Sequence, residues 1–194
     1  MKGYGTVVTG KVQFGSLKKG QIIKILPLDK EAEIRYIKKD KNMISEAFAG
    51  EYIGLNIPSI SHREIRKDSV ISDPKNFPSE FTKKFTAEIT ILEHPKLIFS
   101  GYTPILTCGS TCAPCKIKSI ISKKIMKNGI WENEKFPAFI KNGDSATIEF
   151  EPTIPVFFEA FKEYPELGRF VMRDFNKIVG FGKIIKIEKE KSLD

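Results

Sequence analysis

Three cysteines, two histidines and a pair of closely spaced arginines are the side chains of this 194-residue chain whose types and spacing could carry chemistry. Cys112-Ala113-Pro114-Cys115 has the gap of half a zinc knuckle or of a redox dithiol, and Cys108 precedes it. A structural zinc takes four ligands. His62 lies in the other half of the chain, and His94 sits beside a proline with nothing at ligand spacing. A reactive dithiol needs a helix N-terminus to hold its thiolate, whereas these cysteines fall in strand or turn sequence. They read as small buried or turn residues, and no metal site is expected. Neither histidine is patterned with Ser or Cys, so no nucleophile–base pair forms, and the carboxylates stand mostly next to lysines. A Gly-x-x-x-x-Gly-Lys-Ser/Thr phosphate loop is missing, and Gly3-Tyr4-Gly5 is too short for a dinucleotide fingerprint and leads into a strand. The chain is expected to have no catalytic residue, no cofactor and no enzymatic activity of its own.

The arginines belong to a different kind of pattern. Residues 164–174 alternate like a strand, break at the polar turn between Asp174 and Lys177, and resume over 179–184, which is a hairpin signature. Arg169 and Arg173 are four apart and share one face of an extended strand, while Phe170 and Met172 point to the other. The apolar face has a core to fill, and the guanidinium face can hold an anionic or polar partner. The same arginines could instead pair with Glu159, Glu163 or Asp174.

The elements that must position these residues are almost all strands. Segments 6–12, 21–26, 32–38 and 52–57 are short, rich in β-branched residues and separated by turn residues at fairly regular spacing, a pattern that suggests a closed barrel or sandwich. One helical turn is expected over 61–67, where Ser61 and Glu64 have capping-box spacing. Residues 73–80 carry two prolines and no periodicity, and read as a stiff linker. Strand patterning restarts behind it over 85–92, 103–108, 115–121, 144–150, 156–158, 170–173 and 177–187. Segment 123–137 reads as an extended polar loop, with Trp131 expected to fold back over Phe136 and Phe139 rather than to anchor an interface. The expected fold is all-β: two antiparallel barrels, over 1–74 and 80–190, joined by a short proline-containing linker.

A net charge of +8 favours polyanionic partners such as RNA, although lysine-rich solvated surface gives the same balance. Fifteen phenylalanines within a 41% hydrophobic composition are enough to fill two cores. No apolar stretch reaches the ~18 residues of a membrane span, and three cysteines cannot all pair, so a reducing, cytoplasmic setting without membrane contact is expected.

Several segments, taken in order, resemble the second and third domains of the translational GTPases related to elongation factor 1-alpha and elongation factor Tu. Gly3-Tyr4-Gly5-Thr6-Val7-Val8-Thr9-Gly10-Lys11 and its continuation to Gly20 are similar to the opening of the second domain. Ala49-Gly50-Glu51-Tyr52-Ile53-Gly54-Leu55 and Ile65-Arg66-Lys67-Asp68-Ser69-Val70-Ile71 are similar to its close. Phe85 to Leu92, Gly101-Tyr102-Thr103-Pro104, Phe139 to Asp144 and the tail hairpin are similar to the third domain. The resemblance implies two antiparallel barrels that follow a GTP-binding domain absent from this chain, with GTP and magnesium belonging to that missing domain. It also implies that the first strand of the second domain is missing, so that Met1 is an added start.

Departures from the elongation-factor pattern bear on the branch. The resemblance places a rim histidine at about Asp40 and a Gly-Asp-Asn turn at Gly50-Glu51-Tyr52. A carboxylate thus replaces an imidazole, and a phenol replaces a small amide, where the aminoacyl end of tRNA would sit. Ala113-Pro114-Cys115 with the following strand, and Gly180-Phe181-Gly182-Lys183, are closer to the ribosome-rescue and release-factor branch. That branch carries a tRNA-shaped protein, Pelota-like or a release factor, rather than aminoacyl-tRNA. The reading therefore leans to a rescue or termination factor working at the ribosome, with elongation factor 1-alpha as the alternative. Arg169, Arg173, Lys177, Gly168 and Phe170 are expected to meet cargo or the GTPase domain, and Asp40, Glu51 and Tyr52 to form a second-domain rim site. A stand-alone RNA-binding barrel is a further alternative, but Phe157, Phe158 and Phe161 lie beside Glu159 and Glu163, which argues for core or protein contact.

Overall fold

The computed structural model describes residues 5–67, 69–75, 80–127 and 130–191. Contacts divide the chain into two compact units, 1–79 and 80–194.

The first unit holds nine short strands: β1 (Thr6–Lys11), β2 (Ser16–Lys18), β3 (Ile22–Leu26), β4 (Lys30–Glu33), β5 (Tyr36–Lys39), β6 (Asn42–Ile44), β7 (Glu46–Phe48), β8 (Tyr52–Ile57) and β9 (Val70–Ser72). They pair antiparallel as β1-β8-β5-β6, β4-β3-β9 and β2-β7 around one core. Isoleucines 23, 25, 34, 37 and 57 are wholly buried there, because β-branched side chains at alternate positions fill one face of a pleated strand. The expected strand over 32–38 is two strands. Its break comes at Ile34 and Arg35, whose N–H groups donate to the carbonyls of Gln21 (3.0 Å) and Asn56 (3.0 Å) on different neighbours. The expected helical turn at 61–67 is a hydrogen-bonded turn without helix. The Glu64 N–H donates to the Ser61 carbonyl at 3.0 Å, and the Glu64 carboxylate is drawn to Lys30 at 2.6 Å.

The second unit holds β10 (Glu80–Ile91), β11 (Ile105–Cys108), β12 (Thr111–Lys127), β13 (Ile130–Lys135), β14 (Ser145–Pro152), α1 (Pro165–Gly168), β15 (Arg169–Asp174) and β16 (Lys177–Lys191). The strand order is β11-β15-β16-β10-β14-β12-β13, and β11 also pairs with β12. Six strands therefore close on themselves as an antiparallel barrel, leaving β13 attached outside the ring. Phe85 lies at the centre of the core, stacked on Phe150 (5.3 Å) and edge-on to Phe158 (5.5 Å) and Phe170 (6.2 Å).

Three expectations change here. The segment read as a loop over 123–137 is the hairpin β12–β13, whose residues 128 and 129 lie outside the described ones. Its lysines and glutamates disfavour a strand by propensity, but the hairpin is held by cross-strand pairs such as Met126–Trp131. Residues 156–158 are irregular, tied to β10 by the Thr82 N–H to the Val156 carbonyl (2.9 Å) and the Phe158 N–H to Thr82 Oγ1 (3.0 Å). The linker expected over 73–80 falls partly on 76–79, outside the described residues; the Lys75 N–H donates to Asp73 Oδ1 at 2.8 Å, and Glu80 already begins β10.

Candidate partner-binding surfaces

The tail hairpin β15–β16 turns through Phe175 and Asn176, with Asp174 opposite Lys177. Phe175 adopts a φ of 49° and is 89% exposed at the tip. Alternation along β15 sends Phe170 and Met172 into the core and Arg169, Val171 and Arg173 outward. A bulge between Met172 and Arg173 slips the register of β16, so Arg173 faces Ile178, Val171 faces Phe181 and Arg169 faces Lys183. On the other side of β15, Arg173 pairs with Ile105. The outer face is therefore an apolar strip of Ile105, Val171, Ile178 and Phe181 edged by cations.

The two arginines differ. Arg169 Nη2 donates to Glu166 Oε1 at 2.6 Å, a partner one helical turn away in α1 and none of the three carboxylates considered from sequence. The half-buried Arg173 guanidinium forms no ion pair among the described residues, and Lys177 is exposed with none either. Two expected contact residues are corrected. Phe170 is 3% exposed and packs on Phe85 and Phe150, so its ring is core and not available to a partner. Gly168 is buried with the backbone of Phe161 so close that a Cβ would collide with it; it seats α1 rather than offering a surface. Ile178 and Phe181 escaped the sequence reading, since the bulge hides which side of β16 faces solvent.

The first unit presents a different surface. Asp40 adopts a φ of 54° in the two-residue turn between β5 and β6, a left-handed geometry that Asp tolerates. Beside it, Lys39 Nζ donates to Glu51 Oε1 at 2.6 Å, and Glu51 Oε2 accepts the Phe48 N–H at 2.8 Å. The lysine hydrogen bond first, then the Phe48 amide, hold the Glu51 carboxyl below its usual range, and the same glutamate raises Lys39. This clasp ties the β5–β6 turn to the start of β8, so Asp40, Glu51 and Tyr52 share one end of the barrel. The backbone brings a further loop there: the Gly50 N–H donates to the Val12 carbonyl (2.8 Å) and the Ala49 N–H to the Gly15 carbonyl (2.9 Å). Tyr52 (74% exposed), Phe14 (72%) and Phe48 (55%) stand on that end. The two phenylalanines were not picked out from sequence, where each sits next to a turn with no pattern to mark it.

The cysteines are placed as strand residues. Cys108 ends β11, and Cys112 and Cys115 lie in β12, with Cys112 exposed and the other two buried. Burial pushes the Cys108 and Cys115 thiols up to about 12, so both are held protonated. Among the described residues no group of three His, Cys, Asp or Glu stands together as a metal-ligand set. No helix among them is long and apolar enough to cross a membrane.

Two antiparallel barrels, the first with a clasped rim and the second with a cation-edged hairpin, define the class: the barrel pair of translational GTPases. Residues 84–185 match the family profile described as GTP-eEF1A C-terminal domain-like, and residues 5–72 match elongation factor Tu domain 2. The chain belongs to that elongation factor 1-alpha and Tu family. It is 38% identical over 191 residues to elongation factor 1-alpha of Onchocerca volvulus, covering 98% of this chain and 41% of the relative. The Plasmodium falciparum elongation factor 1-alpha is 39% identical over 188 residues, covering 97% and 42%. Among solved structures, Sup35 complexed with GDP superposes with a TM-score of 0.86 at 28% identity, over 97% of this chain and 45% of that one. The chain thus spans about two fifths of the curated relatives it matches.

Proposed function

We propose that this chain is the barrel platform of a translational GTPase that delivers a tRNA-shaped protein, Pelota-like or a release factor, to the ribosome in the cytoplasm. GTP and magnesium belong to a GTP-binding domain of the parent protein. That domain docks on the barrels differently in its two nucleotide states, and hydrolysis releases the cargo. The barrels supply grip and no catalytic group, with Arg169, Arg173 and Lys177 contacting cargo or GTPase domain.

The observation that carries the reading is the rim at Asp40, Glu51 and Tyr52. An RNA terminus brings phosphates, which the Asp40 carboxylate repels; Lys39 is committed to Glu51 at 2.6 Å, which leaves Lys38 and Lys41 beside Asp40 to offset it. Exposed aromatics beside paired charges suit a folded protein partner better. The fold likeness to Sup35 supports the same direction. Elongation factor 1-alpha proper, carrying aminoacyl-tRNA, is the second reading, favoured by the 38% and 39% identities to curated proteins of that name.

Calorimetric titration of the chain with a Pelota-like protein, a release factor and charged tRNA separates the readings. Saturable protein binding that RNA competitors leave unchanged is expected. Aminoacylation-dependent tRNA binding by the full-length parent overturns the proposal in favour of the elongation factor.

A further inference from the structure

Barrel closure removes sheet edges, yet this barrel carries one edge outside its ring. Strand β13 pairs with β12 alone among the described residues, and all six of its residues are exposed. Register assigns its faces. Met126 lies opposite Trp131, Lys124 opposite Asn133 and Ser122 opposite Lys135, so these share one side of the hairpin. Met126 is 60% exposed and Trp131 66%. Trp131 does not fold over Phe136 and Phe139 as its sequence surroundings suggested; Phe139 instead packs beside Phe99 at 6.0 Å, under the Lys123 ammonium at 5.2 Å.

The two sides of the hairpin differ in charge balance. On the far side Lys123 is neutralised by Glu134 (3.4 Å) and Asp144 (3.9 Å). The Trp131 side carries no carboxylate from the hairpin, and Lys124 and Lys135 form no ion pair among the described residues. An unpaired strand edge, a large exposed aromatic and two uncompensated cations therefore coincide.

We infer that the outer edge of β13 is a docking site for an extended acidic segment of a protein partner, which adds to β13 as a further strand. Backbone hydrogen bonds to the free edge hold the segment. An apolar side chain covers Trp131 and Met126, and carboxylates meet Lys124 and Lys135. The two lysines favour an acidic segment over a basic one, while Glu132 and Glu134 stand on the opposite side of the strand. A single-stranded RNA would use the tryptophan but leave the backbone edge unfilled. The site shares no residue with the rim or the tail hairpin, and stands or falls independently of which cargo they hold.

Panning the whole chain against a phage-displayed dodecapeptide library, counter-selected with its Trp131→Ala variant, tests this. Peptides rich in Asp, Glu and β-branched residues are expected to be enriched. A synthetic winner should bind the Trp131→Ala chain and the Lys124→Ala/Lys135→Ala chain about tenfold more weakly. The same peptide with alternate backbone amides methylated should lose binding, because it cannot form the ladder. Absence of acidic enrichment, equal affinity for the variants, tolerance of methylation, or displacement by a uridine oligonucleotide overturns the inference. Trp131 also pairs with Met126 across the hairpin, so thermal unfolding of the Trp131→Ala chain is compared with that of the unchanged chain. The Lys124→Ala/Lys135→Ala chain, which keeps that pair, tests the site without touching it.

Discussion

The ring of Phe170 lies directly over Gly182: a Cβ at position 182 would come 2.7 Å from Phe170 Cζ and 2.7 Å from the Glu88 carbonyl oxygen. Gly180, two residues earlier, is as tightly set against the Thr90 carbonyl. The Gly180-Phe181-Gly182 spelling that pointed to one branch of the family thus has a local packing cause. It lets β16 approach β10 closely while Phe170 fills the core. Gly182→Ala should cost about 1–3 kcal/mol by overpacking, read as a lower denaturant midpoint at constant slope. A Phe170→Leu partner substitution should couple to it in a double-mutant cycle, because the smaller side chain frees part of the space. Strict additivity would show that the contact is not what excludes a side chain there.

Arg173 and Arg169 separate stability from binding. Arg173→Ala removes a guanidinium without an internal ion pair, and Arg169→Ala breaks an exposed bridge to Glu166 worth less than about 1 kcal/mol. Both variants should unfold close to the parent chain. Partner affinity should fall about tenfold or more for Arg173→Ala, as for a centrally placed interface arginine. Equal affinity in a titration would remove the tail hairpin from the interface.

Glu159 is 5% exposed and salt-bridged to Lys189 at 2.6 Å. Burial raises its carboxyl pKa despite the lysine, which pulls the other way. A raised folded value means this group favours the native state most below the ordinary carboxylate range and loses that contribution as pH rises through its folded pKa. Lys189→Met should cost about 1–3 kcal/mol near neutral pH by leaving the buried carboxylate uncompensated. The deficit should shrink as pH is lowered and Glu159 takes up a proton. Urea unfolding across the acidic range would show it; a deficit constant with pH would place its origin elsewhere.

Thiol labelling should distinguish one cysteine from two. Cys112 is exposed and should react in the native state, whereas Cys108 and Cys115, buried and pushed up to about 12, should react only on unfolding. Two rapidly reacting native thiols would contradict the packing.

Much of the fold was legible because alternation survives in the sequence wherever one strand face is buried. Segment 52–57 was read with the bounds of β8, and the tail hairpin with its polar turn, although residues 165–168, read as the start of its first strand, form α1 instead. Legibility failed where tertiary contacts overrode local pattern. Lysines and glutamates of β13 disguised a strand whose residues are all exposed, and the bulge beside Arg173 masked the outward turn of Ile178 and Phe181. At the rim, spacing along the chain gave Asp40 and Tyr52 as candidates, but not the Lys39–Glu51 bridge that joins their two turns. Phe170 was placed on the contact surface through the family resemblance, although its alternation with Arg169 and Arg173 already turned it toward the apolar face where the structure finds it.

The most direct test of the proposed role places a photo-crosslinking phenylalanine analogue at position 52, in place of Tyr52, in the full-length parent. The GTP-bound protein is offered a release factor or Pelota-like protein and charged tRNA together. Mass spectrometry of the adduct should find the crosslink on the protein cargo. A crosslink to the aminoacylated end of tRNA would contradict it.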